Sequence, residues 1–189
     1  QNVNAYNDGK NRLSNLIMEI EKIEDIKRIR YTTSHPKDMT KDLIDVYKNS
    51  KKLMPLVHLP VQSGSDKILE LMNRKHTIKD YLHIFEKLKN INSKIEFSSD
   101  FIIGFPGEKE EDFENTLSLI ETVNFINSYS FIFSARPGTV AFDLELTDKK
   151  TSIQRLEKIQ NKLYENQINR NKLFKNQTIT VLVENLTDD

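Results

Sequence analysis

Four of the five glycines in this 189-residue chain lie in three short stretches, and these stretches constrain the fold more than any other feature. They are residues 58–66, 98–108 and 128–139, and each begins with a pattern typical of a buried strand. Each then becomes a polar loop with glycine, a residue needed where φ is positive or where the backbone approaches a neighbour closely. Turn formation explains the glycines but not the Gln, Ser, Asp and Arg beside them. Strand ends of this kind predict one rim of an α/β barrel, where active sites are built.

Strand and helix patterns alternate along the chain, as they do in parallel βαβ units. Apolar residues at helical spacing predict the helices, and Thr77 with Asp80 predicts a capping box at the start of one of them. The predicted helices cover residues 10–24, 40–49, 66–74 and 148–175, with one more after Thr77 and one after Glu108. The predicted strands cover residues 26–33, 56–61, 95–103 and 178–184, with one more around Phe131. We therefore expect an α/β fold with parallel strands.

Composition limits the chemistry of the chain. There is no cysteine, which excludes disulfides, a thiolate nucleophile and any Cys-ligated zinc or iron–sulfur site within these residues. No apolar run approaches the ~18 residues of a membrane span, so we expect a soluble cytoplasmic protein with no membrane partner. Residue 1 is Gln, and the strand pattern at 178–184 has no partner after it, so we expect a chain cut at both ends.

Net charge is zero, but its distribution is uneven. Residues 148–175 hold eight Lys or Arg against three Asp or Glu, a net charge of +5. A basic helix of this kind is either a solvated face or a contact for RNA phosphates, and the sequence favours neither. Lys158 and Lys162 are the candidates for RNA contact.

The candidate site residues offer binding groups rather than a reactive one. Gln62 and Ser63 can grip a neutral polar ligand but supply no acid–base power near neutral pH. Asp100 suits a general base or a ligand for hydroxyl groups, and His35 suits a pocket because it follows a strand. His58 is expected to be a hydrogen-bonded structural residue. The pattern predicts a cofactor cradle with no catalytic residue and no metal ligand of its own.

Three motifs resemble, in order, consecutive motifs of the radical S-adenosylmethionine methylthiotransferases. They are HLPVQSGSD at 58–66, SSDFIIGFPGE at 98–108 and SYSFIFSARPGT at 128–139. QNVNAY at 1–6 and YTTSHP at 31–36 match the same family, so the resemblance covers essentially the whole chain. The similarity is closest to the MiaB branch, which methylthiolates isopentenyl-adenosine in tRNA.

The resemblance implies that the strand ends hold S-adenosylmethionine. The methionine moiety would lie near the first two residues, the ribose near the 62–63 corner and the adenine along the backbone of 102–104, with the loop after the last strand closing the site. In the wider superfamily motif Gly-x-Ile-x-Gly-x-x-Glu, this chain has Asp in place of the first Gly, and its Glu comes one position late. The implied cofactor residues are Gln1, Asn2, Gln62, Ser63, Asp100, Ile102, Gly104 and Arg136.

The same resemblance implies two domains. Residues 1–175 would form a partial radical S-adenosylmethionine (β/α) barrel that lacks its N-terminal strands and its cysteine-rich cluster loop, ending in a long helix. Residues 176–189 would begin a TRAM-like RNA-binding β-barrel. The whole enzyme would use [4Fe–4S] clusters, an electron donor protein and S-adenosylmethionine to modify tRNA, and these 189 residues alone would be inactive.

Two other classes of function remain open from the residues themselves. The first is a non-redox barrel enzyme that uses Asp100 or His35 as its base. The second is an RNA-binding module centred on the basic helix, residues 148–175, without chemistry.

Overall fold

The computed structural model describes residues 2–32 and 34–183. Gln1, the Thr33 end of one predicted strand and the last six residues of the predicted TRAM-like segment therefore lie outside the described residues. The helices are α1 (Leu13–Glu21), α2 (Lys41–Asn49), α3 (Asp66–Leu71), α4 (Ile78–Ile91), α5 (Glu110–Val123) and α6 (Lys149–Lys172). The strands are β1 (Leu56–His58), β2 (Glu96–Ser98), β3 (Asp100–Ile103) and β4 (Tyr129–Ile132).

Every pairing between the four strands is parallel. β1 pairs with β2, and β3 pairs with β4. Only Ser99 separates β2 from β3, and a further parallel bridge joins Gln62 to Phe101, so the two pairs form one surface. Another parallel bridge, between Ile29 and Leu53, extends this surface beyond β1. Parallel neighbours with helices between them confirm the expected α/β partial barrel.

One face of the strands packs on the helices and forms the core. Phe101 and Ile103 of β3 are fully buried on this face, as alternation in a strand requires. The ring of Phe125, just after α5, lies edge-on to Phe101 at 5.3 Å between centroids. Tyr81 of α4 is fully buried and donates its hydroxyl to the Leu59 carbonyl at 2.9 Å. The corners that follow β1 and β3 are also largely buried, with Val61 0% and Phe105 4% exposed.

Helix boundaries follow local chemistry. The predicted capping box is present at α4: Thr77 Oγ1 accepts the Asp80 N–H at 3.1 Å, and Asp80 Oδ2 accepts the Thr77 N–H at 2.9 Å. α5 begins with Glu110, Glu111 and Asp112, whose negative charge suits the positive end of the helix dipole.

Two predicted strands differ in the structure. The strand expected at 26–33 is reduced to the single bridge of Ile29, because only one neighbouring strand reaches it in the described residues. The strand expected at 178–184 is not formed over 178–183, where Val181 and Val183 are exposed. A strand needs a partner for its backbone hydrogen bonds, and no described segment supplies one there. The division into domains at 175 stays a prediction.

Within residues 2–32 and 34–183, no helix is long and apolar enough to cross a membrane.

Candidate functional site

The predicted site residues follow different strands but lie at one edge. Gln62 follows β1, Gly104 follows β3 and Arg136 follows β4. Because the strands are parallel, these carboxyl ends share one side of the sheet. Gln62 forms a parallel β-bridge with Phe101 and has a left-handed φ of 77°. The backbone therefore turns sharply at Gln62, where it leaves the sheet.

The face of the sheet opposite the helices carries a row of polar and aromatic side chains. Asp100 and Ile102 of β3 are half-buried there, in register with Tyr129 and Phe131 of β4. Tyr129 is 61% exposed and Phe131 57%, which is unusual for aromatic residues in a strand. The open face therefore offers an acid and an aromatic ring at the start of β3 and β4, and an aliphatic side chain and a second ring two residues further along.

His58 lies on this face and is hydrogen-bonded, as the sequence predicted. Its Nδ1 is 2.9 Å from Ser98 Oγ, and its Nε2 is 3.5 Å from Asp100 Oδ2. Asp100 thus has a polar neighbour within its own sheet.

The structure adds a residue that sequence analysis missed. Arg74, between α3 and α4, donates from Nη2 to the Pro60 carbonyl at 2.9 Å, and its Nε is buried without a partner among the described residues. The pKa of Arg74 is lowered overall. Burial is the main cause, and the Asp100 carboxylate acts in the opposite direction. A half-buried cation with a buried, free donor is suited to an anionic group. The only sequence signal was its place in a short polar loop after a strand-and-helix unit.

Two histidines lie beside Arg74. The rings of His35 and His76 meet edge to face at 5.4 Å between centroids. Burial, and next the charge of Arg74, lowers the pKa of each to about 4. Both rings are therefore neutral at pH 7, and a base with so low a pKa is poorly matched to proton abstraction near neutral pH. This weakens the alternative in which His35 is a general base.

Polar contacts tie the start of the chain to the same region. Asn2 Nδ2 donates to Asp38 Oδ2 at 2.5 Å, and Asn4 exchanges two hydrogen bonds with the backbone of His35. Buried polar atoms rarely lack partners, and such an atom points to a missing water or ligand. Among the residues that the structure describes, several such atoms occur here: Asn2 Oδ1, Ser34 Oγ, Arg74 Nε and both ring nitrogens of His76.

The corner after β1 packs on α5, which changes the expected role of Ser63. Ser63 is fully buried, and its Oγ accepts the Ser65 N–H at 3.2 Å. Gly64 donates its N–H to Thr116 Oγ1 at 2.9 Å, and a Cβ at Gly64 would lie 2.5 Å from the Asn115 carbonyl oxygen. This glycine is therefore required by the approach of a helix, not of a ligand. Ser63 thus supports the corner from inside, and its contact with S-adenosylmethionine stays a prediction.

The corner after β3 packs on α6. Gly104 has a φ of 69°, and a Cβ there would overlap the Ser152 hydroxyl. Its N–H is taken by Glu108 Oε2 at 2.8 Å, and the same carboxylate lies 2.9 Å from Arg155 Nη1. Contact of this backbone with adenine stays a prediction, and Ile102 is the residue of the segment whose side chain lies on the open face.

Arg136 is exposed in the loop after β4. Its backbone carbonyl accepts a hydrogen bond from the Thr139 N–H at 3.2 Å. Lys158 and Lys162, the predicted RNA contacts, lie 2.7 Å from carboxylates of Glu114 and Glu121 on α5. The basic charge of α6 is thus partly matched by α5. Across the described part of the chain, no group of three or more His, Cys, Asp or Glu is arranged to hold a metal ion.

Comparison with known proteins gives consistent results along the chain. The profile of the Radical SAM superfamily matches residues 6–120, more than half of the chain. A tRNA-2-methylthio-N(6)-dimethylallyladenosine synthase of Pelagibacter ubique (strain HTCC1062) is 65% identical over 193 residues, which cover 100% of this chain and 43% of that protein. A protein of the same name from Neorickettsia sennetsu is 52% identical over 97% of this chain and 40% of its own length. The chain thus spans less than half the length of these curated relatives.

Solved structures share the fold. Coproporphyrinogen III oxidase (HemN) from Escherichia coli, a Radical SAM enzyme, gives a TM-score of 0.58 at 17% identity over 70% of this chain and 31% of that chain. Elp3 of the archaeon Methanocaldococcus infernus gives 0.50 at 19% identity over 65% of this chain and 30% of its own. At such identities the likeness concerns the fold alone. The profile match and the fold agree with the motifs at the strand ends, and this chain belongs to the Radical SAM superfamily.

Proposed function

We propose that the complete protein containing this chain is a tRNA methylthiotransferase that adds a methylthio group to isopentenyl-adenosine. The observation that carries the proposal is the 65% identity, over the whole chain, to a relative named for that reaction. The part of the non-redox alternative that uses His35 as base has less support, because His35 has a pKa of about 4.

The residues at the strand edge fit S-adenosylmethionine by their chemistry. This cofactor carries a carboxylate, an ammonium group, ribose hydroxyls and a flat, largely apolar adenine. Arg74 offers a half-buried cation for the carboxylate, and Asp100 offers an acceptor for the ammonium or the hydroxyls. Gln62 offers an amide for the ribose, and Ile102 an apolar surface for the adenine. The unpartnered buried polar atoms around Arg74 support a ligand at this position.

Asn2 and Arg136 complete the proposed contacts. Asn2, which contacts Asp38, keeps a buried carbonyl oxygen that has no partner among the described residues. Arg136 is exposed in the loop after β4, where it can fold over a bound ligand. We propose the same for Gln1 and for the Gly104 backbone on the strength of the motifs alone.

The role of this chain is therefore to bind and orient the cofactor and to limit its contact with water. Bound next to a reduced [4Fe–4S] cluster, S-adenosylmethionine supplies the one-electron chemistry that activates the adenine carbon of the substrate. The 189 residues contain no cysteine, so thiolate ligands for the clusters would come from other parts of the complete protein.

Further partners belong to the same proposal. Lys158 and Lys162 would contact tRNA phosphates, and residues 176–189 would begin a TRAM-like RNA-binding domain. An electron donor protein would reduce the cluster. We place the enzyme in the cytoplasm, without a membrane partner, because its substrate is tRNA.

The experiment uses the complete protein with reconstituted clusters, a reductant, S-adenosylmethionine and tRNA bearing isopentenyl-adenosine. Mass spectrometry of the digested tRNA should show the methylthio derivative, and tRNA with unmodified adenosine at that position should give less of it. If the clusters are intact and S-adenosylmethionine binds, but neither tRNA is methylthiolated, the proposed substrate is wrong.

A further inference from the structure

We propose that Arg155 of α6 is a positioning residue for cofactor binding: through Glu108 it fixes the backbone of the β3 corner, residues 102–104. The proposal rests on the function proposed above, because it concerns how this strand edge holds S-adenosylmethionine. The first half of α6 would then support cofactor binding, although this helix lies outside the predicted cofactor motifs, which all come earlier in the sequence.

One carboxylate oxygen joins the strand to the helix. Glu108 Oε2 accepts the Gly104 N–H at 2.8 Å and a hydrogen bond from Arg155 Nη1 at 2.9 Å. Arg155 Nη1 also donates to the Glu108 carbonyl at 3.2 Å. Gly104 is the first residue after β3, so its backbone is connected to the second turn of α6 by two hydrogen bonds in series.

The pair is buried and enclosed. The Glu108 side chain is 1% exposed and the Arg155 side chain 8%. The guanidinium lies 5.3 Å from the centroid of the Phe113 ring, and its Nη2 reaches Glu110 Oε2 at 2.9 Å. A buried ion that loses its partner is strongly destabilised, so each of the two holds the other in place. Only the planar fork of Arg can reach both carboxylates at once, which makes Lys a poor substitute.

A further contact of α6, and one from the segment just before it, end at the same corner. Ser152 fills the space beside Gly104, and Thr147 Oγ1 donates to the Phe105 carbonyl at 3.3 Å. Gly104 holds a left-handed φ of 69°, and Ile102, two residues earlier, lies on the open face. If the Glu108 hydrogen bond to Gly104 loosens, this segment can shift, and the surface proposed for adenine shifts with it.

The test uses the complete protein with reconstituted clusters and compares wild type with Arg155→Lys and Glu108→Gln. Each variant should raise the KM for S-adenosylmethionine in deoxyadenosine formation by about tenfold, as expected for one charge-assisted hydrogen bond. The KM for tRNA should stay at the wild-type value. Hydrogen exchange in the peptide covering residues 101–108 should become faster, because the Gly104 N–H loses its fixed acceptor.

Arg170→Lys is the matched control. Arg170 lies near the other end of α6 and pairs with Glu96 at 2.6 Å, at the amino end of β2. It should change neither the KM for S-adenosylmethionine nor exchange at 101–108.

The outcomes separate this inference from the proposed function. If the wild-type protein with intact clusters forms no deoxyadenosine, the proposed function is wrong, and the positioning role falls with it. If wild type is active but both variants keep its KM for S-adenosylmethionine, the positioning role is overturned. A parallel loss of tRNA and S-adenosylmethionine binding, or a loss of folding in both variants, would assign the pair to general stability and overturn it as well.

Discussion

At the scale of single residues, the corners at the strand ends are shaped by neighbouring helices. Gly64 lies against the backbone of α5, where a Cβ would be 2.5 Å from Thr116 Cα. Gly138 has a φ of 81°, but no atom lies within 4 Å of the place where its Cβ would be. Glycine is thus required at position 64 because there is no space for a side chain, and it is favoured at position 138 because of the backbone conformation.

Gly64→Ala should therefore destabilise the protein more than Gly138→Ala. The first variant places a methyl group against rigid helix backbone and should cost about 3 kcal/mol or more. The second variant should be destabilised only by the left-handed backbone conformation, which costs about 1 kcal/mol for a residue with a Cβ. Thermal unfolding of the complete protein gives the comparison. Equal midpoints for the two variants would mean that α5 does not press on this corner.

A second prediction at this scale concerns pH. His76 has a pKa of about 4 in the fold against an ordinary value of 6.5, first because of burial and next because of Arg74. The folded protein therefore binds fewer protons than the unfolded chain between these values. The stability that neutral His76 contributes is complete above pH 6.5 and is lost as pH falls toward 4.

Thermal unfolding of wild type and His76→Phe from pH 7 to pH 4 tests this. Wild type should lose more stability over the range than the variant, which cannot titrate at this position. His83→Phe, at an exposed position of α4, should keep the wild-type slope. The same pH dependence in wild type and His76→Phe would contradict the burial of a neutral ring.

At the scale of elements, α6 has two faces with different tasks. Its buried side fixes the β3 corner through Arg155, and its exposed side pairs with acids of α5. Exposed ion pairs are worth little, about 0–1 kcal/mol, so a phosphate can displace Glu114 or Glu121 from its lysine. Pairing with α5 is thus compatible with RNA contact.

Replacing Lys158 and Lys162 by Ala in the complete protein should weaken tRNA binding. The slope of log affinity against log salt should fall by about one unit for each lost phosphate contact. Glu114→Gln with Glu121→Gln is the matched control, since it frees both lysines and should strengthen binding. A salt slope unchanged by the Lys variants would restrict these lysines to pairing with α5.

At the scale of the whole molecule, the sequence predicted the parallel α/β order and the shared edge of the strand ends, because periodicity and glycine placement are local signals. It did not predict the direction in which Ser63 points, since that depends on α5, more than 40 residues later. Arg74 was missed for a similar reason. Its Nη2 donates to the Pro60 carbonyl on a separate segment of the chain, and nothing in its local sequence marks it as different from its neighbour Lys75.

We propose above that this strand edge holds S-adenosylmethionine, with Arg74 as the cation for its carboxylate. The most direct test is deoxyadenosine formation by the complete, cluster-loaded protein with wild-type Arg74, Arg74→Gln and the adjacent control Lys75→Gln. Arg74→Gln should keep its clusters but raise the KM for S-adenosylmethionine about tenfold or more, because a buried charge-assisted contact is lost, and the control should match wild type. An unchanged KM in Arg74→Gln, or no deoxyadenosine from wild type with intact clusters, would contradict the account.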